Sequence, residues 1–223
     1  MKQKITCFCE NSFDVEVPGE IDLDSGSYFD EIQKGTFMNF TCPGCQKKHK
    51  PEFPITIQWP SKKLCFSVIP ELERGAFYRQ KKQPAEKQKH PYVLETLIGY
   101  PEMADRLAVI NDGLEPVAIE AIKYFLHLKA EEQYPDDEID IWYYSSTEGK
   151  TGKAAPDPNK RTSLEFHIHG IRADEVAVMK IPYALYEKNL DDYKNQPKNE
   201  LFTSLRFHNY LSVKNTMIPE VYK

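Results

Sequence analysis

The sequence has no apolar run approaching the ~18 residues that span a bilayer, and its opening "MKQKITCFCENS" lacks the apolar stretch of a secretory signal. No membrane association is therefore expected, and the expected location is the cytoplasm. The G-x-S-x-G elbow, the H-E-x-x-H helix and the dinucleotide glycine fingerprint are also missing, which removes the common hydrolase and dehydrogenase signatures. "EGKTGK" has glycine, lysine and threonine together, but not at phosphate-loop spacing and not between a strand and a helix. Internal repeats and low-complexity tracts are absent as well. These absences argue against an enzyme, and no catalytic residue is assigned.

What is there is an ordinary globular composition. The chain has 223 residues, 40% hydrophobic and 28% charged, enough for one large domain or two modest ones with real cores. The net charge of -5 is unevenly spread, with 14 Lys and Arg against 12 Asp and Glu through residue 92, and 15 against 22 after it. Local positive charge gathers in "QKKHK" and in "RQKKQPAEKQKH" from Arg79 to His90. As a whole the acidic balance disfavours a nucleic-acid binder, and the basic runs read first as solvated surface and connector.

Four of the five cysteines fall into two tight pairs, Cys7 with Cys9 and Cys42 with Cys45. In a reducing compartment such pairs are metal ligands or redox groups more often than disulfides. Cys42 and Cys45 in "CPGC" have the spacing of a zinc knuckle, where Pro43 and Gly44 let the backbone turn so that both thiolates face one ion. Cys7 and Cys9 are one residue apart and can still point to one side of an extended chain. Four thiolates complete a closed tetrahedral site for one structural Zn2+ and leave no open position for water or substrate. The alternative is a thiol redox pair. It would need the motif at a helix start in a βαβ unit, whereas strand-like sequence follows here. Cys65 in "KKLCFSVIP" has no partner and is expected to pack in a core.

The flanking segments suit a zinc ribbon. "KIT", "SFDVEV", "FMNF" and "KPEFPITIQW" are rich in β-branched and aromatic residues and place each cysteine pair at a hairpin tip. Between them "DLDSGSYFDEIQKG" predicts a short helical insert capped by Ser25 or Ser27, with Phe29 and Ile32 as apolar contacts and Gly35 as the stop. "KLCFSVIP" is the expected last strand of the module. Cys7 and Cys9 in "TCFC", "NFTCPGC" with Cys42, Pro43 and Cys45, and the later "VIPE" together resemble the bacterial and archaeal CpXC proteins. The "GYPEMADRLAVINDGLEPVAIEAIKYF" stretch is similar to the helical segment that follows in longer members. Glu10 and Gln46 depart from the pattern, standing where knuckles often place glycine. The resemblance implies a metal-binding module and no assigned activity.

The fold class expected is α+β: a zinc-ribbon-like module over 1–72, a basic linker over 73–91, and a mixed helical and antiparallel-sheet domain over 92–223. In the latter, "PEMADRLAVI" predicts a helix with Pro101 first and "NDG" as its stop. "EPVAIEAIKYFLHLKAEE" predicts a central helix buried through Val117, Ile119, Ile122, Phe125, Leu126 and Leu128. "DIDIWYY", "TSLEFHIHGI" and "EVAVMKIPY" predict strands, "YALYEKNLDDY" a helix, and "NELFTSLRFHNYLSV" a helix or an extended segment. Glu165, His167 and His169 share one face of the second strand and could contribute to a metal site. With no further ligand to complete it, a polar solvent face is the favoured reading. Three functions follow: a zinc-ribbon interaction or adaptor protein with a protein partner, a nucleic-acid or ribosome-associated factor using the basic segments, and a metal-dependent enzyme at the histidine strand. The first is favoured.

Overall fold

The computed structural model of the chain describes residues 1–80, 91–146, 161–172 and 175–218. "EGKTGK" and most of the basic connector lie outside them. The fold is α+β and divides into two compact units, Met1–Met103 and Ala104–Lys223.

The first unit opens with an antiparallel hairpin of β1 (Lys2–Thr6) and β2 (Ser12–Glu16), with Ile5 opposite Phe13. Alternation turns Ile5 and Val15 inward, where they join Val17, Phe13, Met38, Phe40 and Phe53 in a small apolar cluster. After β3 (Glu20–Asp22) comes helix α1 (Tyr28–Gln33), the expected insert. Its apolar residues seat it as predicted, with Ile32 buried and the Phe29 ring 5.8 Å from that of Trp59. Ser27 is the residue before the helix, but its hydroxyl donates to the Glu31 carboxylate and makes no bond to a backbone N–H. Gly35 ends the segment at φ +64, a left-handed conformation that glycine adopts without penalty.

A second, very short hairpin pairs β4 (Phe40–Thr41) with β5 (Lys48–His49). β6 (Ile55–Trp59) and β7 (Leu64–Ile69) then run antiparallel, with β3 parallel to β6. Helix α2 (Arg74–Tyr78) precedes β8 (Val93–Ile98). β8 pairs parallel with β7, from Leu64 opposite Val93 to Ile69 opposite Ile98. Four strands of this unit therefore pair in the order β8, β7, β6, β3. This differs from the expected organisation, in which β7 closes the module, 73–91 is linker and the second domain starts at 92. β8 is one sheet with the strands before it through its ladder with β7, and its Thr96, Leu97 and Ile98 are buried. Within this unit the Glu52 carboxylate accepts from the backbone N–H of Glu71 at 2.6 Å and of Tyr100 at 2.7 Å. Arg74 donates to Glu71, Glu102 and the Ile98 carbonyl.

Helix α3 (Tyr100–Asn111) carries the chain across the division, and Gly113 at φ +68 follows it as "NDG" predicts. In the second unit, helix α4 (Pro116–Gln133) packs on an antiparallel sheet of β9 (Asp140–Ser146), β10 (Ser163–Arg172) and β11 (Glu175–Pro182), with β10 central. Ile119, Ile122 and Leu126 meet Ile141, Tyr143, Leu164, Phe166 and Ile168 in the main core. Helix α5 (Tyr183–Asn195) adds Tyr186 to it. The last segment is mixed: helix α6 (Glu200–Ser204), a tight hairpin of β12 (Arg206–Phe207) and β13 (Tyr210–Leu211), and a 3-10 turn over Val213–Met217.

α4 is the buried centre, but its apolar face is not the expected one. Phe125 and Leu128 are exposed, and Glu120, Lys123 and His127 are buried instead. Burying charges is tolerable only when they are paired and hydrogen-bonded. Here Lys123 Nζ lies 2.5 Å from Asp105 and 2.9 Å from Glu120, while Glu120 also accepts from the Val213 N–H and from Arg106. Arg106 donates in turn to the Leu211 carbonyl at 2.7 Å, and Asp105 accepts from the Tyr143 N–H. The network joins α3, α4, β9 and the C-terminal turn.

Candidate metal centre

The two cysteine pairs sit at the tips of the two short hairpins, and their backbones repeat one another. In the first, the Cys7 N–H donates to the Asn11 carbonyl and the Glu10 N–H to the Cys7 carbonyl, both at 2.9 Å. In the second, the Cys42 N–H donates to the Lys47 carbonyl and the Gln46 N–H to the Cys42 carbonyl, again at 2.9 Å. Each turn closes on a left-handed residue after its second cysteine, Glu10 at φ 66 and Gln46 at φ 61. The departure from glycine noted in the sequence therefore leaves the knuckle geometry intact, at a steric cost of about 1 kcal/mol per residue.

These turns bring all four sulfurs within 4.8 Å of one another. Cys7 Sγ is 3.5 Å from Cys45 Sγ, and Cys9 Sγ is 3.7 Å from Cys42 Sγ. Such distances are too long for a disulfide bond of about 2.05 Å, and all four thiols are free. They match the edge of a tetrahedron around one ion, about 3.8 Å for metal–sulfur bonds of about 2.3 Å. The group is close enough to hold a metal ion. Among the described residues it is the one place where three or more potential ligand side chains converge.

The four sulfurs differ in surroundings. Cys7 and Cys42 are buried, Cys9 and Cys45 exposed. Cys42 receives the Cys45 and Gly44 backbone N–H groups and Asn11 Nδ2 at 3.6 Å; the Cys45 N–H leads in holding its thiol down to about 6, against the effect of burial. At Cys7 the Cys9 N–H favours the thiolate, but burial and the sulfurs of Cys45, Cys9 and Cys42 together push the thiol up to about 12. Cys42 is thus held toward the thiolate and Cys7 toward the thiol.

His49, which sequence reasoning passed over, stands beside this group. Its Nε2 lies 3.1 Å from Cys7 Sγ, and its ring centroid is 6.4 Å from that of Phe8 and 6.2 Å from that of Phe13. The signal available was its position in "QKKHK", read there only as positive charge. Phe8, between two cysteines, is 87% exposed, and Lys47 Nζ lies 4.6 Å from its ring centre.

The other candidates do not join the site. Cys65 is buried in β7, where burial raises its thiol pKa, as expected of a packed core residue. On β10, Leu164, Phe166 and Ile168 face the core and leave Glu165, His167 and His169 on the other face, as alternation predicts. His167 stacks on Tyr144 at 3.9 Å and lies 3.6 Å from the Glu165 carboxylate, and no metal-sized group forms around it among the described residues. His127 is buried on α4, and His208 is at the β12–β13 turn with φ 55. Among the described residues, no helix is long and apolar enough to cross a membrane.

Comparison with known proteins fits this geometry. A protein of Treponema pallidum (strain Nichols), described as uncharacterized, is 30% identical over 223 residues, covering 95% of this chain and 97% of its own. No solved structure matches. The family model for CpXC protein matches residues 5–123, past the 1–72 expected for the module and into α4. The match takes in both knuckles, the sheet that follows and α3, over more than half of the chain, and the protein belongs to the CpXC family.

Proposed function

We propose that the first unit is a structural zinc module, one Zn2+ held by Cys7, Cys9, Cys42 and Cys45, in a cytoplasmic protein that acts as an interaction or adaptor module. The observation that carries this reading is the set of four sulfurs from two knuckles at tetrahedral spacing. Thiolates select soft or borderline ions, and a four-sulfur tetrahedral set suits zinc. With all four positions filled by protein, the ion stabilises the fold and has no place for substrate. Free thiols in this number suit a reducing compartment.

A protein partner is supported by Phe8. With its neighbours Cys7 and Cys9 as metal ligands, the backbone under this exposed ring would be fixed, and an aromatic anchor on a fixed backbone loses less entropy on docking. Lys47 over that ring, with exposed Lys48 and Lys50 beside it, also raises a nucleic-acid reading. Charge weighs against it. A divalent ion with four thiolates carries two net negative charges, and Glu10 adds a third, so the three lysines are offset locally.

Metal analysis of protein purified under reducing conditions tests the centre. About one zinc per chain is expected, and its removal by a chelator should open the first unit to protease. Cys42→Ser should do the same, and a variant that kept both its metal and its protection would refute the four-cysteine site. For docking, cross-linking should capture a partner with the native chain but not with Phe8→Ala. Binding of single-stranded RNA that falls steeply with salt would favour the nucleic-acid reading instead.

A further inference from the structure

The buried and exposed sulfurs of the centre are supported unequally. Cys42 has Asn11 Nδ2 at 3.6 Å as a side-chain donor, and Cys7 has His49 Nε2 at 3.1 Å. Nothing in the cysteine spacing singles out His49, and its position comes from the hairpin. β4 leads into the second knuckle and β5 leaves it, and the Phe40–His49 pairing fixes His49 level with the start of the turn. From there its ring reaches the first knuckle, with the Phe8 and Phe13 ring centroids 6.4 and 6.2 Å away.

Two roles are open to an imidazole so placed. As a fifth ligand, or in exchange for a cysteine, Nε2 would have to be near all the sulfurs, yet it is not among the atoms that lie within 4.8 Å of one another. Its distance to Cys7 Sγ is also shorter than the separation of about 3.6 Å between a nitrogen and a sulfur on one tetrahedral zinc. As a hydrogen-bond donor it fits. A metal-bound thiolate carries lone pairs and no proton, so the hydrogen between the two atoms has to be on Nε2.

We propose that His49 is a positioning residue of the metal centre: its Nε2–H donates to the Cys7 thiolate and fixes that buried sulfur in the geometry that completes the tetrahedron. This rests on the zinc reading above. Taking a thiolate out of water removes its solvating hydrogen bonds, and His49 replaces one of them from a half-buried ring on the second hairpin. Partners of this kind around metal ligands typically affect affinity by about 10- to 100-fold.

The test compares the full-length native chain with His49→Ala and His49→Gln, using zinc competition against a chromophoric chelator and Co2+ substitution read by absorption. Circular dichroism at saturating metal shows that each variant is folded. His49→Ala should bind zinc roughly 10- to 100-fold more weakly, with Co2+ still showing a four-sulfur spectrum and its thiolate-to-metal band moved to lower energy. His49→Gln, which can still donate an N–H, should recover part of both effects. Native affinity with an unmoved band in His49→Ala overturns the proposal, as does a three-sulfur, one-nitrogen spectrum in the native chain, which would make His49 a ligand. If His49→Ala fails to fold at saturating metal, His49→Gln decides by the same band. A native chain that takes up no metal refutes the zinc reading and this proposal together.

Discussion

Glu10 and Gln46 occupy equivalent places in two turns 36 residues apart in the sequence, and both have left-handed backbones, at φ 66 and 61. Neither is glycine, so each turn is held in a conformation that its own residue disfavours. The closing hydrogen bonds to Cys7 and Cys42 and the convergence of the sulfurs sustain it.

A β-branched residue at either place should therefore be poorly tolerated. Glu10→Val and Gln46→Val are each expected to lower stability by at least about 1 kcal/mol. Glu10→Gly and Gln46→Gly should be neutral or mildly stabilising. Thermal unfolding of the zinc-loaded protein checks the order. Valine melting with glycine or above it would contradict the reading.

In the second unit, Lys123 is the one ammonium between two buried carboxylates, Asp105 and Glu120. Lys123→Met keeps most of the volume and removes the charge, leaving those carboxylates with Arg106 alone among the cations of the network. A loss of about 3–5 kcal/mol is expected, measured by urea unfolding. A loss under about 1 kcal/mol would mean that the network carries little of the fold's stability.

His127 gives the second unit a pH dependence. Burial, helped by the Lys123 charge, lowers its pKa from 6.5 to about 4, with Asp140 and Glu120 opposing and Lys214 contributing. The unfolded chain therefore takes up a proton that the folded chain refuses. The penalty is absent above the unfolded pKa, grows as pH falls from 6.5, and levels off below about 4, where it reaches about 3 kcal/mol. His127→Gln should flatten this part of the stability profile between pH 7 and 4. An unchanged slope would assign the dependence to other groups.

The clustering of the four cysteines is the most legible part of the sequence, because the spacing of each pair survives any uncertainty in the surrounding fold. The strands of the second unit were legible for a similar reason. Alternation in "SLEFHIH" is strict, and it correctly separated Phe166 from His167. Less was legible where contacts are distant. Nothing near residues 93–98 announces a parallel pairing with 64–69, so the sequence predicts no strand there and starts the second domain at 92. On α4 the apolar periodicity was ambiguous, and Phe125 and Leu128 read as core because hydrophobicity alone could not reveal that Asp105 and Arg106 neutralise Glu120 and Lys123. His49 escaped notice because a donor to a ligand has no spacing rule of its own.

The sulfur contacts join positions 33 and 38 residues apart in the chain. A bridge of that span removes freedom from the unfolded chain much as a covalent link does, on the order of 4 kcal/mol for a loop of this length. Unlike a disulfide, such a metal link would open to a chelator or acid and would need no oxidant to form. With the proposed ion bound, the first unit would be a segment of chain tied by a knot whose tightness follows the supply of that ion, and the integrity of the Phe8 surface would follow that supply too.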